Sequence, residues 1–279
     1  LKIINAFSNF NPDLVVLGHA DRVSNLTLET LKEMKKNLKI TQWFLDPLSK
    51  YGPDHSNNKK RILDKMDLLD STFLTTNPGS INFKIDNSYF IPNPVDKSFE
   101  ILSNYKKKCN FDVFFALSHG VHRGVLKSGK NDDRASFIKR LIDNTKNVKF
   151  DIYGVNNIQP IWADNYFKTV SNSKMGLNLS RGLPTKYYSS NRIASLMGNG
   201  LLTFIDKKTC FNDFFNKDEI VFYKSLDELA NKILYYKKND KIRKKIAYNG
   251  KKKYFKLFNE KKISKYIVDI SLGKLVNLY

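Results

Sequence analysis

The chain has 279 residues and a mass of 32.3 kDa, which two domains of ordinary size would account for. Its 41% hydrophobic and 27% charged residues exclude a disordered chain. The longest apolar runs, 14–17 and 201–205, fall far short of the roughly 20 residues of a membrane-spanning helix. Two widely separated cysteines, Cys109 and Cys210, exclude a disulfide scaffold, so we expect a cytoplasmic protein.

The charge balance is strongly basic. Lys and Arg number 48 against 27 Asp and Glu, giving a net charge of +21 that favours anionic partners. Much of the excess lies in the predicted Lys-rich helices of residues 237–253. Three interpretations stay open: a solvated helical face, a patch that contacts an anionic membrane, or a nucleic-acid surface.

Residues 1–100 alternate short apolar runs with amphipathic stretches, the pattern of parallel βαβ units. After a weak helix at 2–10, strands are predicted at 13–18, 39–45, 71–75 and 88–91, with helices near 28–38 and 59–69. This pattern predicts a small Rossmann-like domain. Because such a domain normally opens with a strand and a glycine turn, we expect either that an initial βαβ segment is missing or that the domain is reduced.

The alternation begins again after a Lys-rich connector and predicts a second Rossmann-like domain over residues 101–279. Strands are predicted at 111–117, 148–153, 175–179, 201–205 and 219–222. Asp132 caps a predicted helix, and Ser225 with Glu228 forms a capping box for another. The remainder, to about residue 272, is predicted to be helical.

Ligands of parallel sheets bind at the carboxyl ends of the strands, so the residues that follow each strand are the candidate site. The segment after strand 111–117 combines glycines, histidines and cations, which is typical of diphosphate binding by backbone amides and positive charges. Its candidate residues are His119, Gly120, Arg123 and Lys127. A surface loop with incidental charges is the alternative.

A second polar segment, residues 180–200, joins strand 175–179 to a short helix. Hydroxyl, amide and cationic groups in this segment could face an anionic or sugar ligand. The candidates are Lys186, Tyr188, Ser189, Ser190, Asn191, Arg192 and Ser195. The alternative is that Gly198 and Gly200 only cap the helix and the tyrosines pack.

Several motifs resemble one family in their order along the chain. They are the Gly/Arg loop of 111–134, Tyr-Gly at 153–154, Asn-Leu-Ser at 178–180, Asn-Arg-Ile with a Gly-x-Gly helix end at 191–200, and the segment 218–229. The chain resembles the group 1 glycosyltransferases of the GT-B fold, particularly the spore-maturation-type branch. The resemblance implies two Rossmann-like α/β domains with parallel sheets facing across a cleft, the N-terminal one for the acceptor and the C-terminal one for a nucleotide-diphosphate sugar.

The resemblance also implies roles for individual residues. Arg123 and Lys127 would contact the diphosphate, Arg192 would contact the donor or its phosphates, and Ser189, Ser190 and Asn191 would lie nearby. The family commonly has two glutamates eight positions apart, where this chain has Tyr187 and Ser195.

An inverting transferase also needs a base from the N-terminal domain. His19 and Asp46, which follow the first two strands, fit that position. Each also has a structural alternative, a hydrogen-bonding role for His19 and a turn cap before Pro47 for Asp46.

We therefore expect transfer of a sugar from a nucleotide-diphosphate donor to a carbohydrate or lipid-linked acceptor, in surface polysaccharide or lipopolysaccharide assembly near the inner face of the membrane. No Asp-x-Asp motif lies where a metal-dependent transferase would have it, so we expect no metal and no cofactor. Two alternatives stay open: a nucleotide-sugar epimerase, and a non-catalytic module that binds nucleotides or nucleic acid.

Overall fold

The computed structural model describes residues 2–18, 22–52, 54–117, 133–156 and 158–279, together with the backbone of 121–122 and 125–126. The chain divides into two compact units. Unit 1 comprises Leu1–Pro92, Thr185–Tyr188 and Glu260–Tyr279, and unit 2 comprises Asn93–Pro184 and Ser189–Asn259. The chain thus returns to unit 1 twice, whereas the sequence analysis placed a single boundary near residue 100.

Unit 1 is built on a parallel four-stranded sheet in the order β1-β2-β3-β4. The strands are β1 (Leu14–Gly18), β2 (Lys39–Phe44), β3 (Ser71–Leu74) and β4 (Ser88–Phe90), and the helices before and between them are α1 (Lys2–Phe10), α2 (Asn25–Met34) and α3 (His55–Leu63). Helix α2 begins at Ser24, whose Oγ accepts the Thr27 N–H at 3.2 Å. Its apolar face buries Leu28 and Leu31 beside β1 and β2.

Unit 2 contains a parallel five-stranded sheet in the order β11-β10-β9-β5-β8. Its strands are β5 (Phe111–Ala116), β8 (Phe150–Tyr153), β9 (Ser173–Asn178), β10 (Leu202–Asp206) and β11 (Val221–Tyr223), and a short antiparallel pair is formed by β6 (Val121–His122) and β7 (Val125–Leu126). The helices are α4 (Asp133–Asp143), α5 (Ala163–Val170), α6 (Arg192–Gly198), α7 (Leu226–Lys238) and α8 (Asp240–Leu257).

The interior strand β5 is apolar on both faces because helices cover both sides of the sheet. Val113 and Phe115 pack into the larger core cluster of unit 2, while Phe114 and Ala116 pack into the cluster on the opposite face. Alternate residues of a strand point to opposite faces, which explains this division.

The last helix, α9 (Glu260–Ser271), belongs to unit 1. Its residues Ile263, Ile267 and Ile270 are buried against Phe73 of β3 and Ile91. The sheet of unit 1 is therefore packed against a helix that lies far from its strands in the sequence.

The two parallel α/β units confirm the predicted architecture. The strands lie within about two residues of their predicted bounds. Three helices differ from the predictions. Helix α2 spans Asn25–Met34 where the pattern predicted 28–38, and α3 spans His55–Leu63 where it predicted 59–69. Helix α5 was not predicted. Within the described residues, no helix is both long enough and apolar enough to span a bilayer.

Candidate functional site

The strand order of unit 2 creates a crevice at the carboxyl ends of β5 and β9. In chain order β5, β8 and β9 are the first three strands of the sheet, and β8 and β9 pair with opposite edges of β5. The connection after β5 therefore runs to β8 on one side, and the connection after the neighbouring strand β9 runs to β10 on the other side. Ligands of open α/β sheets bind at such a switch point. This places the candidate site at Ala116 and Asn178, the last residues of the two strands.

Arg192 bridges the two strand ends at this switch point. Its Nε donates to the Ala116 carbonyl and its Nη1 to the Leu179 carbonyl, each at 3.0 Å. Nη1 also contacts the Ser190 Oγ at 3.0 Å, and the guanidinium carbon lies 5.0 Å from the centre of the Phe115 ring. The planar guanidinium is thus held by several directional contacts, and it places a permanent positive charge at the edge of the sheet.

Helix α6, which carries Arg192, lies close to the sheet because β9 contains a glycine. A Cβ on Gly176 would lie 2.4 Å from Cδ2 of Leu196, closer than side-chain carbons approach one another. Leu196 is fully buried. The glycine therefore sets the distance between α6 and β9, and with it the reach of Arg192 to both strand ends.

A cavity of about 370 Å³ opens beside Arg192 within unit 2. The end of β5, helix α5 and helix α6 all contribute to its wall. The described lining residues are Glu100, Ala116, Leu117, Ile161, Trp162, Ala163, Tyr166, Phe167, Asn191, Arg192 and Ser195. The lining combines aromatic rings with charged and polar groups. A mixed apolar and polar pocket of this size fits a small organic ligand.

Tyr166 and Ser195 are linked inside the cavity wall. The Tyr166 hydroxyl donates to Ser195 Oγ at 3.1 Å, and the Tyr166 ring packs edge-on against Phe114. Burial raises the pKa of Tyr166, which the Ser195 hydrogen bond and the Arg192 charge oppose. Tyr166 therefore stays a neutral donor that orients the Ser195 hydroxyl.

Glu100 supplies a carboxylate to the same cavity. Its Oε2 accepts the Asp96 N–H at 2.8 Å, and its main-chain carbonyl accepts from Lys251 Nζ at 3.2 Å. Its stem lies over Gly198, where an added Cβ would be 2.4 Å from Glu100 Cγ. Burial is the largest effect on the carboxyl and raises the pKa of Glu100 above its ordinary range.

Ser189 and Ser190 hold the polar segment against the end of β9. Ser189 is buried, and its Oγ shares hydrogen bonds with the Asn178 side chain. Asn93 Nδ2 donates to the Ser189 carbonyl at 2.8 Å, so Ser189 faces protein on both sides. Ser190 contacts Arg192, as described above, and Asn191 is exposed at the start of α6.

Lys186 and Tyr188 belong to the part of this segment that lies in unit 1. The Lys186 side chain is exposed, its carbonyl accepts the Asn77 N–H at 3.1 Å, and Tyr188 is buried. Of the candidates in this segment, the structure brings Asn191, Arg192 and Ser195 together on the cavity wall, and it places Lys186 and Tyr188 in the other unit.

Asp46 lies in unit 1, just beyond β2, and contacts Arg61. Its Oδ2 accepts from Arg61 Nη1 at 2.6 Å, and both residues line a small polar pocket with Asn57 and Asn58. His19, His119, Gly120, Arg123 and Lys127 lie outside the residues whose side chains the structure describes.

Glu100, Trp162 and Tyr166 line the cavity but were not among the site residues predicted from the sequence. Glu100 lies in an irregular segment before β5, and the other two belong to the start of α5 or lie within it. A search for aromatic residues between the second and third strands of unit 2 would have found the last two. Across the described ranges, no group of three or more His, Cys, Asp or Glu residues is arranged to hold a metal ion.

Comparison with known proteins gives one family model and a set of similar folds. Residues 134–269 match the family model described as "Glycosyl transferase-like". No curated protein matches the chain.

Solved structures match over nearly the whole chain at low sequence identity. Anabaena HepE in complex with UDP and glucose is 12% identical with a TM-score of 0.65, over 98% of this chain and 80% of HepE. TarM of S. aureus is 12% identical with a TM-score of 0.62, over 97% of this chain. Sucrose-phosphate synthase of Thermosynechococcus elongatus is 8% identical with a TM-score of 0.59, over 96% of this chain and 75% of that enzyme.

The chain spans 57% of the length of TarM, so the likeness is to part of that protein. At these identities the solved structures show the fold, and the family model adds the type of domain. Residues 134–269 therefore resemble a glycosyl transferase-like domain, and the two parallel-sheet α/β units of the chain have the GT-B fold.

Proposed function

We propose that the protein transfers a sugar from a nucleotide-diphosphate donor to a carbohydrate or lipid-linked acceptor. The observation that carries the proposal is the cavity at the switch point of unit 2, where Arg192 spans the ends of β5 and β9. The family model over 134–269 and the UDP and UDP-glucose bound to HepE support the same function.

In this proposal the cavity holds the donor, with its diphosphate toward Arg192. A guanidinium suits phosphate oxygens because its donors are planar and its charge is permanent. Trp162, whose side chain is half exposed, offers a ring on which a base could stack. The polar groups of Asn191 and Ser195 are left for hydroxyl or amide groups of the ligand.

The proposal extends to the residues that the structure leaves undescribed. His119, Gly120, Arg123 and Lys127 follow β5 in the sequence, at the strand end that Arg192 contacts. We assign them to the diphosphate, with Ser189 and Ser190 as supports of the segment that carries Asn191. Lys186 and Tyr188 belong to unit 1, so the proposal gives them no contact with the donor in the unit 2 cavity.

Cations rather than a metal would stabilise the departing nucleotide diphosphate. Preorganised positive groups lower the barrier where negative charge develops, and Arg192 is fixed by its bonds before any ligand arrives. We therefore propose a metal-independent hexosyltransferase or a related transferase that needs no cofactor.

The acceptor would be activated by a residue of unit 1. Asp46 and His19 are our candidates for the base that takes the proton of the acceptor hydroxyl. The Arg61 contact fixes the orientation of the Asp46 carboxylate.

Finer parts of the proposal concern place and pathway. We propose assembly of surface polysaccharide or lipopolysaccharide, and membership of the spore-maturation-type branch. We also propose a cytoplasmic location at the inner face of the membrane, which the net charge of +21 supports because anionic lipids attract basic proteins. A lipid-linked acceptor would bring the basic protein to an anionic surface.

Calorimetric titration of the intact protein with UDP, GDP, dTDP and CMP and their sugars, at fixed salt, tests the donor site. We expect one nucleotide class to bind, and Arg192→Ala to weaken it by about 5- to 150-fold, the equivalent of losing a charged hydrogen bond. The control is Arg140→Ala, which removes an exposed arginine of α4 and should leave affinity unchanged.

Two results would contradict the proposal. One is that none of the nucleotides binds the intact protein, and the other is that Arg192→Ala folds normally and binds as tightly as the wild type. Steep salt-dependent binding to nucleic acid without nucleotide binding would favour the non-catalytic module. Conversion of a donor sugar to its epimer would favour the epimerase.

A further inference from the structure

A second cavity within unit 2, of about 320 Å³, shares no described lining residue with the cavity beside Arg192. It lies between α7 and the segments that follow β10 and β11. Four lysines line it, Lys207, Lys217, Lys224 and Lys232, and the acid among its described lining residues is Glu228. An excess of cations around one concave site favours an anionic ligand.

The strand register brings two of these lysines side by side. Asp206 of β10 pairs with Tyr223 of β11, so Lys207 and Lys224 are the next residue along each strand. Neighbouring strands lie about 4.8 Å apart, and both lysines line the same cavity. Both are exposed, and neither has a carboxylate within ion-pair distance among the described residues. Two like charges are thus held next to each other, and a bound anion would supply their counter-charge.

The main chain on either side of these two lysines is fixed by hydrogen bonds. After β10, Asp206 Oδ1 accepts the Lys208 N–H at 2.8 Å, and the Asp206 carbonyl accepts from Thr209 Oγ1 at 2.6 Å. After β11, Glu228 Oε2 accepts the Lys224 N–H at 2.8 Å. The backbone that carries the lysines is therefore ordered before a ligand arrives, which lowers the entropy cost of binding.

Glu228 is paired within the protein and so repels an anion less than a free carboxylate would. Its Oε1 accepts from Lys232 Nζ at 2.6 Å, and this bond is the largest effect that holds the pKa of Glu228 below its ordinary range. Ser225 Oγ accepts the Glu228 N–H at 3.2 Å, so the amino end of α7 is also capped. The other lysine side chains, rather than the helix end, are the groups that remain for a ligand.

Several ammonium groups around one cavity suit a ligand that carries more than one negative charge. Phosphate and pyrophosphate esters have this property, and lysine binds their oxygens as a compact point charge. A single carboxylate would leave most of these cations without a counter-charge.

We propose that the cavity formed by Lys207, Lys217, Lys224 and Lys232 is a binding site for a phosphate or pyrophosphate ester, separate from the nucleotide cavity. Two sources supply that chemistry, a soluble phosphate ester and the headgroup of an anionic lipid. The inference goes beyond the proposed function and does not depend on where the donor binds.

The test is calorimetric titration of the intact protein with inorganic pyrophosphate. If a nucleotide binds the protein, it is kept at saturation so that it fills its own site. We expect the wild type to bind pyrophosphate, and the double variant Lys207→Gln/Lys224→Gln to bind it about tenfold more weakly or worse, because two charged hydrogen bonds are lost.

The matched control is Lys139→Gln/Lys238→Gln, which removes the same charge from exposed positions of α4 and α7. It should change the affinity for pyrophosphate less than about threefold, since exposed charges at a distance are screened by salt. All four substituted lysines are exposed, so both double variants should keep the melting temperature of the wild type.

Sedimentation with vesicles of equal parts phosphatidylcholine and phosphatidylglycerol identifies the source of the phosphate. If the ligand is a lipid headgroup, the wild type and the control sediment with the vesicles and Lys207→Gln/Lys224→Gln does so much less. If the ligand is soluble, all three proteins sediment alike while the difference in pyrophosphate affinity persists.

Three results would overturn the inference and leave the proposed function intact. The first is that the wild type does not bind pyrophosphate. The second is that Lys207→Gln/Lys224→Gln binds it as tightly as the wild type. The third is that both double variants lose affinity equally, which would show an effect of net charge rather than of this cavity.

Discussion

At the scale of single residues, Arg192 and Asp112 show how the two ends of β5 differ. Arg192 lies at the carboxyl end, where it contacts carbonyls and is partly exposed beside the cavity. Asp112 lies at the amino end with a side chain only 3% exposed, where it pairs with Lys174 at 2.8 Å and Lys237 at 2.5 Å. We propose that the first arrangement serves a ligand, whereas the second stabilises the fold.

Replacing Asp112 with Asn should destabilise unit 2. The carboxylate also accepts the Lys149 N–H, so the neutral amide would leave two lysines without their buried counter-charge. Because both lysines are partly exposed, we expect about 1–3 kcal/mol rather than the larger cost of a fully buried pair. Scanning calorimetry at neutral pH would measure the loss as a fall in melting temperature.

The matched control is Asp86→Asn, which removes a strongly exposed partner of Lys84 and should cost less than about 0.5 kcal/mol.

The pH dependence of stability gives a second check on the role of Asp112. Burial opposes ionisation of Asp112, but the Lys149 amide and the lysine bonds outweigh it and lower the pKa. The stabilisation is therefore present above the unfolded pKa of about 3.9 and is lost as the pH falls through the lower folded value. Equal melting temperatures of wild type and Asp112→Asn at pH 7 would contradict this assignment.

At the scale of elements, the position of α6 on β9 depends on Gly176. A Cβ there would meet Cδ2 and Cδ1 of Leu196 at 2.4 and 2.8 Å. Gly176→Ala should therefore destabilise the protein by about 1–3 kcal/mol, as overpacked cores do, and denaturant unfolding would measure it. In a Leu196→Ala background the same change should cost much less, since the obstructing atoms are gone.

The control for this substitution is Gly18→Ala in β1, where an added Cβ meets nothing within 4 Å. That change should be close to neutral or slightly stabilising. A penalty for Gly176→Ala that is equal in both backgrounds would show that Leu196 is not the obstacle.

The strands of both sheets were predictable because each is a short β-branched or aromatic run between turn residues. Helix α5 was missed for a local reason. Its N-cap position is held by Trp162, which makes no side-chain cap, and Ala163 begins the helix at a φ of +46°. Asp164 in the first turn is a weak start signal and no capping side chain accompanies it, so tertiary packing of Tyr166 on Phe114 contributes to the stability of the helix.

The site was predictable in part. The loop after β9 was identified from its polar residues, and Arg192, Asn191 and Ser195 do line one cavity. The switch point itself depends on which strands pair, and that follows from contacts between residues far apart in the sequence. Glu100 lies in a segment without helical or strand periodicity, so the sequence did not indicate that it would reach the site. Its side chain packs over Gly198, a contact that only the structure shows.

At the scale of the whole molecule, the chain forms two α/β units and carries an excess of positive charge. Unit 1 includes α9, which lies near the end of the chain, and unit 2 contains the described cavity beside Arg192. The net charge of +21 favours anionic ligands of either unit without selecting one. Selectivity must then come from directional groups, which the described cavity provides in Arg192, Glu100 and Ser195.

The central claim is that a nucleotide binds at the switch point of unit 2. Hydrogen–deuterium exchange of the intact protein, with and without the nucleotide that calorimetry selects, tests it most directly. We predict slower exchange in peptides that cover 161–167 and 189–199, with no change in those that cover β1–β4 of unit 1. Protection confined to unit 1, or unchanged exchange in 161–167 and 189–199 at saturating nucleotide, would contradict the claim.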